Sequence, residues 1–112
     1  MILVTGATGC IGTNLTRALV ERGDRVAILC PPGEDLSTLG QLADTVEVRY
    51  GDVRDPAAVE RAMRGVTAVF HLAGVAVQSN TLARRMREVN VGGTENVMRA
   101  AAGAGARVVH TS

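Results

Sequence analysis

Lysine and tryptophan are absent from this sequence of 112 residues, and its aromatic side chains are limited to Tyr50 and Phe70. Without lysine the chain cannot contain the Gly-Lys-Ser/Thr end of a P-loop, so a P-loop nucleotide hydrolase is excluded. Scarce aromatics argue against a domain that binds single-stranded nucleic acid by stacking. The net charge of +1 gives no general attraction to nucleic acid or an anionic membrane. We therefore expect neither as a partner.

Cysteine is scarce, and long apolar runs are missing. The two cysteines are too few for a disulfide framework, and no apolar stretch approaches the roughly 20 residues of a membrane span. The first residues have the pattern of a strand and a turn rather than that of a signal peptide. These features predict a cytoplasmic protein with free thiols. The length fits one domain, residues 1–112, with one core.

Short apolar runs alternate with helical patterns along the chain. This alternation favours a parallel sheet covered on both faces, because right-handed crossovers place helices on each side. We predict an α/β fold: a Rossmann-type doubly wound parallel sheet with strand order 3-2-1-4-5, truncated after the fifth strand. The predicted strands are 2–4, 25–29, 46–50, 67–73 and 107–111.

Capping signals and apolar spacing mark the predicted helices. Gly23 ends the first helix, whose apolar positions are Ile11, Leu15 and Leu19. A short helix is predicted at 36–43, and a later one begins with Asp55 as N-cap and Pro56 as its first residue. A long helix is predicted over 82–102, with a core-facing stripe formed by Met86, Val89, Gly93, Val97 and Ala101.

Three glycines, Gly6, Gly9 and Gly12, follow the first strand and open the first helix. A glycine at this place can adopt a positive φ, let the backbone approach a ligand, or let the helix pack closely on the strand. The helix N-terminus adds unpaired N–H groups and the positive end of a dipole, which suit a phosphate. An ordinary strand-to-helix turn can also contain three glycines. Their position after the first strand of an α/β alternation favours a nucleotide site.

Three segments of the chain carry a resemblance to a known family. They are TGATGCIG at 5–12, YGDVRDPAAVERAMRGVTAVFHLAG at 50–74 and VNVGGTENVMRAAAGAGARVVHTS at 89–112. In their order and spacing they resemble the extended short-chain dehydrogenase/reductase family, the NAD-dependent epimerase/dehydratase group. The resemblance covers essentially the whole chain. It implies a dinucleotide cofactor, NAD or NADP, bound at the carboxyl edge of the sheet.

The resemblance also implies roles for particular residues. Gly6, Gly9 and Gly12 would lie at the pyrophosphate of the dinucleotide, and the backbone N–H groups near Cys10 and Ile11 would donate to it. The spacing of these glycines is T-G-x-x-G-x-x-G rather than the commoner G-x-G-x-x-G, which is a further point of resemblance to this family.

Other matching positions lie after the third and fourth strands. Asp52 and Val53 match the pair that meets the adenine, where a carboxylate can accept from the amino group. Asp52 could instead cap the following helix, but Asp55 already fills that position, so the ligand role is favoured. Ala73 and Gly74 match small residues that leave room for the nucleotide.

The catalytic residues of the family are not among these 112. Thr111 and Ser112 stop just short of the family's catalytic serine or threonine. The Tyr-x-x-x-Lys pair is absent, because Tyr50 is the only tyrosine and no lysine is present. Asn90 matches a polar position that helps to order the site in relatives, and a hydrogen bond within helix packing is an equal alternative.

Two functional hypotheses follow from this resemblance. The first is the front portion of a longer NAD(P)-dependent oxidoreductase, epimerase or dehydratase. It would act on a hydroxyl or carbonyl group of a small molecule or nucleotide sugar, bound mainly by a C-terminal part that is missing here. The second is a non-catalytic NAD(P)-sensing or regulatory module on the same fold. A homodimer through the long helix is a secondary expectation.

In this fold the residues at the end of the second strand determine which coenzyme binds: an acid favours NAD and an arginine favours NADP. Here these positions are Cys30 and Pro31, so neither signal is present. Glu34 and Asp35 lie on the following loop and could reach back. The lack of an acid at the strand end gives a slight preference for NADP.

Histidines and cysteines near the strand ends are expected to be structural. His71 and His110 have no second metal ligand nearby, and no metal site is predicted. Cys10 and Cys30 are expected to be two buried small side chains rather than a redox pair.

Overall fold

A computed structural model describes residues 1–72 and 91–110. The elements in chain order are β1 (Ile2–Thr5), α1 (Cys10–Glu21), β2 (Val26–Cys30), a 3-10 segment η1 (Ser37–Asp44), β3 (Glu47–Tyr50), α2 (Pro56–Ala62), β4 (Ala68–His71), α3 (Gly93–Ala104) and β5 (Arg107–His110). The five strands form one parallel sheet in the order β3-β2-β1-β4-β5, which confirms the predicted architecture. Within the described ranges, no helix is long and apolar enough to cross a membrane.

Successive residues of the central strands bury opposite faces of the sheet. Leu3 of β1 packs with Val59 of α2 and Val97 of α3 in one apolar cluster. The next residue, Val4, packs in a second cluster with Leu19 of α1 and Leu39 of η1. β2 is buried along its whole length, as expected for an apolar strand with helices on both faces. The core therefore consists of two layers separated by the sheet.

The predicted helix ends are confirmed where capping residues mark them. The Asp55 side chain accepts a hydrogen bond of 3.1 Å from the Ala57 N–H, and α2 begins at Pro56. Gly23 and Gly65 follow α1 and α2 with φ of +92° and +72°. Such angles favour glycine, which has no Cβ to oppose them. The two glycines therefore let the chain reverse after each helix and enter the next strand.

The short helix predicted at 36–43 is confirmed as the 3-10 helix η1, Ser37–Asp44. The segment is a 3-10 structure, broken at Gly40, whose φ of +55° and ψ of −128° are not helical. Glycine adopts such a backbone conformation easily, so η1 consists of two short turns. The strand boundaries agree with the prediction to within two residues among those described.

The buried face of α1 differs from the predicted apolar face. Ile11 is 66% exposed, although its spacing from Leu19 predicted burial. Gly12, Thr16 and Leu19 are the buried positions of this helix. The Thr16 hydroxyl donates 2.7 Å to the Gly12 carbonyl, which satisfies a polar group inside the core. Gly12 packs against the backbone of the preceding loop, so the side of α1 that carries Gly12 faces the core.

The predicted core-facing stripe of the long helix is confirmed for its described members. Gly93, Val97 and Ala101 are the buried residues of α3. Met86 and Val89 lie outside the described residues. Gly105 ends α3 in the left-handed conformation, with φ of +70°.

Arg49 on β3 provides a test of how the C-terminal end of α2 is held. Its guanidinium donates to the carbonyl oxygens of Ala62 and Arg64, each at 2.7 Å. Arg49→Ala should lower the free energy of unfolding by about 2 kcal/mol, because two carbonyls lose a charged donor. Arg22→Ala, which removes an exposed pair with Asp24, should cost no more than about 0.5 kcal/mol. Equal losses in urea unfolding would contradict this.

Candidate functional site

The carboxyl ends of β1, β2 and β3 bring three loops to one edge of the sheet. The first loop carries the three glycines, the second carries Glu34 and the third carries Asp52. In open α/β sheets, ligands bind in the crevice outside these ends, where the strand order reverses. The reversal here lies at β1, between β2 and β4. This edge is the candidate site.

The glycine loop between β1 and α1 is a tight turn with little free space. Gly6 has φ of +73°, and its carbonyl accepts a hydrogen bond of 3.2 Å from the Gly9 N–H. The Thr13 hydroxyl donates 2.9 Å to the Ala7 carbonyl and fastens the loop to the helix. A Cβ on Gly12 would overlap the carbonyl oxygen of Gly6 and lie 2.8 Å from Cα of Ala7. Gly6 and Gly12 are therefore required by the fold itself.

Gly9 differs from the other two glycines of the loop. Its φ of −74° and ψ of 171° are extended angles that any residue adopts. A Cβ there would meet the Gly6 carbonyl oxygen at 3.5 Å, which is ordinary contact. Gly9 is also exposed. The described structure gives no internal reason for glycine at this position, whereas a ligand that approaches the backbone would supply one.

The N-terminus of α1 points its first-turn N–H groups toward this crevice. In the described part of the chain no side chain caps α1 at Gly9, and its first turn has no acidic residue. α2, by contrast, is capped by Asp55. First-turn N–H groups of Cys10 and Ile11 without a capping side chain, together with the helix dipole, form an anion site.

The expectation that both cysteines are buried was wrong for Cys10. Cys10 is exposed and Cys30 is buried. Cys10 is the first residue of α1, at the end of the helix that borders the crevice. Burial raises the pKa of the Cys30 thiol, and the negative charge of Glu34 raises it further. Cys30 is thus a neutral thiol at the end of β2.

The two acids after β2 face different groups. Glu34 returns to the glycine loop, where the Thr8 hydroxyl donates 2.9 Å to its carboxylate. Asp35 accepts a hydrogen bond of 2.9 Å from the Ser37 N–H at the start of η1, which lowers the pKa of Asp35. Glu34 therefore contacts the glycine loop at the crevice, whereas Asp35 contacts the start of η1.

The loop after β3 is held from two sides. Arg54 forms an ion pair with Asp52, with Nη2 2.7 Å from Oδ2. Asn96 of α3 donates 2.8 Å to the Val53 carbonyl. Val53 itself is buried, and a Cβ on Gly93 would lie 2.7 Å from its Cγ2. Val53 is therefore fixed at the crevice edge by a contact that crosses 43 residues of sequence, whereas Asp52 is held by the nearby Arg54.

His71 connects β1, β4 and α3 beneath the crevice. Its Nδ1 shares a hydrogen bond of 2.7 Å with the Thr5 hydroxyl, and its Nε2 shares one of 3.1 Å with the Thr94 hydroxyl. The Leu72 N–H also donates to the Thr5 hydroxyl, at 3.0 Å. Burial, and to a smaller extent the neighbouring His110, whose ring is stacked at 5.3 Å, together lower the pKa of His71 to about 4. His71 is therefore neutral at pH 7, and it joins the ends of β1 and β4 to α3.

Comparison with known proteins identifies the family. The model of the NAD dependent epimerase/dehydratase family matches residues 2–112. The chain belongs to this family. Sterol demethylase protein B of Methylococcus capsulatus is 42% identical over 98% of the chain and 33% of that protein. The 3 beta-hydroxysteroid dehydrogenase/Delta 5-->4-isomerase of Mycobacterium tuberculosis is 35% identical over 99% of the chain and 31% of that protein.

Solved structures of the same family give the same result. A short-chain dehydrogenase/reductase superfamily protein from Agrobacterium tumefaciens, crystallised with bound NAD, superposes with a TM-score of 0.83 at 34% identity. The match covers 100% of the chain and 32% of that structure. The chain thus spans about a third of the length of the relatives it matches. The predicted resemblance to the NAD-dependent epimerase/dehydratase group is confirmed.

Several residues that the family resemblance singled out lie outside the described part of the chain. They are Ala73, Gly74, Asn90, Thr111 and Ser112. Their roles beside the nucleotide, on the long helix and at the end of the fifth strand stay predictions.

Three polar residues at the site were not predicted from the sequence. They are Thr8, Thr94 and Asn96, which bind Glu34, His71 and Val53 respectively. The segment GGTENV contained a signal for the last two, because Thr94 and Asn96 flank the buried stripe of α3. Polar residues next to a buried face usually need a partner. The spacing of these residues in the sequence does not identify that partner.

Proposed function

We propose that the chain, as one domain spanning residues 1–112, is the dinucleotide-binding portion of an NAD(P)-dependent oxidoreductase, epimerase or dehydratase. The contrast within the glycine loop carries this proposal. Gly6 and Gly12 are required by the fold, while Gly9 is exposed beside the uncapped N-terminus of α1. A pyrophosphate at that position would explain both the bare backbone at Gly9 and the missing cap.

The residues at the crevice fit such a cofactor. The N–H groups of Cys10 and Ile11 would donate to the pyrophosphate, which lies at the positive end of the α1 dipole. Asp52, oriented by its ion pair with Arg54, would accept from the adenine amino group, with Val53 beside the ring. When bound, the nicotinamide would supply the hydride donor or acceptor. The chain would hold and orient the dinucleotide.

The substrate is proposed to be a small molecule with a hydroxyl or carbonyl group, or a nucleotide sugar. The names of the two curated relatives, a sterol demethylase protein and a hydroxysteroid dehydrogenase/isomerase, favour an apolar alcohol or ketone within this class. A part of the protein beyond these residues would bind it. We also propose a cytoplasmic protein and a homodimer, the latter supported by apolar exposure of Val91 and Met98 at α3.

A non-catalytic NAD(P)-sensing module is the second candidate. These 112 residues contain no lysine, and their only tyrosine, Tyr50, lies at the end of β3. Neither residue type is thus available for a Tyr-x-x-x-Lys pair. Both candidates require dinucleotide binding, and they differ in turnover.

The test separates binding from turnover in the complete protein. We expect NADH and NADPH fluorescence to show saturable binding, and bound dinucleotide to shield exposed Cys10 from thiol alkylation. The complete sequence should contain a Tyr-x-x-x-Lys pair. Replacing its tyrosine with phenylalanine should abolish turnover and leave dinucleotide binding intact, because the tyrosine acts as acid and base. Binding without such a pair would support the sensing module, and no binding would overturn both candidates.

A further inference from the structure

The turn after β2 returns a carboxylate to the glycine loop. Pro31 accepts a backbone hydrogen bond of 3.1 Å from the Glu34 N–H, and Gly33 between them has φ of +82°. Proline at the second position and glycine with positive φ at the third are typical of a type II turn. This turn reverses the chain directly after Cys30. Glu34 therefore lies beside the end of β2, although it is four residues farther along the chain.

Two further contacts hold this arrangement. The Thr8 hydroxyl donates 2.9 Å to Oε1 of Glu34, and the Thr8 carbonyl accepts 3.1 Å from the Thr38 hydroxyl of η1. Thr8 thus connects the glycine loop to the last residue of the turn and to η1. The raised pKa of Cys30, in part due to the charge of Glu34, is consistent with a carboxylate close to the strand end. Within the described residues, the side-chain hydrogen bond of Glu34 uses Oε1 of its carboxylate.

In doubly wound folds the crevice between the ends of the first two strands receives the adenosine ribose, and an acid at the strand end accepts from its 2′-hydroxyl. Cys30 occupies that strand end and is buried as a neutral thiol. We propose that Glu34, held by Thr8, takes the place of the missing strand-end acid, binds the adenosine ribose hydroxyls and selects NAD over NADP. This inference rests on the proposed dinucleotide site. It replaces the slight preference for NADP that Cys30 and Pro31 suggested.

The physical basis is charge and hydrogen bonding at one position. A carboxylate accepts strongly from a ribose hydroxyl, since hydrogen bonds to charged groups are stronger than neutral ones. The same carboxylate repels the 2′-phosphate of NADP, because like charges at contact distance are unfavourable even in a partly solvated crevice. Thr8 reduces the number of conformations of the Glu34 side chain, so less entropy is lost when the ribose binds.

The experiment measures NADH and NADPH affinities of the complete protein by fluorescence titration. Wild type should bind NADH at least about tenfold more tightly than NADPH. Glu34→Gln should weaken NADH and strengthen NADPH binding, and so change the affinity ratio by at least about tenfold. Thr8→Val should shift the ratio in the same direction by less. Asp35→Asn is the matched control, since Asp35 faces Ser37, and it should leave the ratio within about twofold.

The outcomes distinguish this inference from the proposed function. If Glu34→Gln and Asp35→Asn both leave the ratio unchanged, or if wild type prefers NADPH, the role of Glu34 is wrong and the dinucleotide site stands. If wild type binds neither coenzyme, the proposed function fails, and the inference fails with it. Circular dichroism of each variant checks that the fold is retained.

Discussion

Gly9→Val is expected to abolish binding of NADH and NADPH while the protein stays folded. The angles at Gly9 suit any residue, and its Cβ would meet only ordinary contact at 3.5 Å from the Gly6 oxygen. A valine side chain would instead fill the space through which a pyrophosphate approaches the N–H groups of α1. Affinity should fall by about 100-fold or more in fluorescence titration. The free energy of unfolding should fall by no more than about 1 kcal/mol.

Gly12→Ala should destabilise the protein much more than Gly9→Val. Its Cβ would overlap the Gly6 carbonyl oxygen and lie 2.8 Å from Cα of Ala7, and backbone atoms cannot rotate away. We expect a loss of about 3 kcal/mol or more in urea unfolding. Gly103→Ala is the benign control, because among the described residues no atom lies within 4 Å of a Cβ there. It should stabilise α3 by up to about 1 kcal/mol.

These three variants separate the two reasons for glycine in the loop. If Gly9→Val binds NADH as tightly as wild type, the loop does not hold the pyrophosphate. If Gly9→Val unfolds as readily as Gly12→Ala, the loop needs glycine at both positions for the fold, and the argument for a ligand at Gly9 fails.

His71 should make the stability of the protein dependent on pH below neutrality. Its pKa is about 4 in the folded protein, mainly through burial, against 6.5 for an ordinary histidine. Between these values the unfolded chain binds a proton that the folded chain does not, so stability falls as the pH decreases. The contribution is fully present above pH 6.5. When the pH is lowered from about 7.5 to about 5, His71 should reduce the free energy of unfolding by about 2 kcal/mol.

Urea unfolding of wild type and His71→Asn at both pH values measures this contribution. The variant should be less stable at every pH because Thr5 and Thr94 lose a ring partner, but its decrease in stability on acidification should be smaller by about 2 kcal/mol. His110→Gln serves as the control. It should retain most of the decrease, since burial is the larger cause of the lowered pKa. An identical decrease in wild type and His71→Asn would contradict the assignment.

Local patterns predicted the parts of the fold that depend on neighbouring residues. The strand order was predicted because five apolar runs alternate with helices, and right-handed crossovers leave few topologies. The start of α2 was predicted because Asp55 and Pro56 act on the next few N–H groups. The glycine loop was recognised by its place between a strand and a helix.

Patterns failed where a side chain's surroundings come from distant segments. Helical spacing predicted burial for Ile11, yet the α1 terminus faces the crevice and leaves Ile11 exposed. Cys10 is exposed for the same reason. The sequence placed Glu34 on the loop after β2 without identifying its partner, and the structure shows that the Thr8 hydroxyl donates to it. In each case the exposure or the partner of the side chain depends on how its element is oriented in the fold, and not on whether that element is a helix, a strand or a turn.

The sequence by itself determined the family, through the resemblance of three segments that the family model confirms. It also determined the doubly wound sheet and the glycine loop after the first strand, since both follow from local patterns. Only the tertiary structure separated Gly12, which the fold requires, from Gly9, which it does not. Only the tertiary structure also showed that Asn96 bonds to Val53, 43 positions away, and that His71 bonds to Thr5, 66 positions away. Such contacts form only when the sheet and the helices pack, so their partners cannot be identified from spacing along one chain.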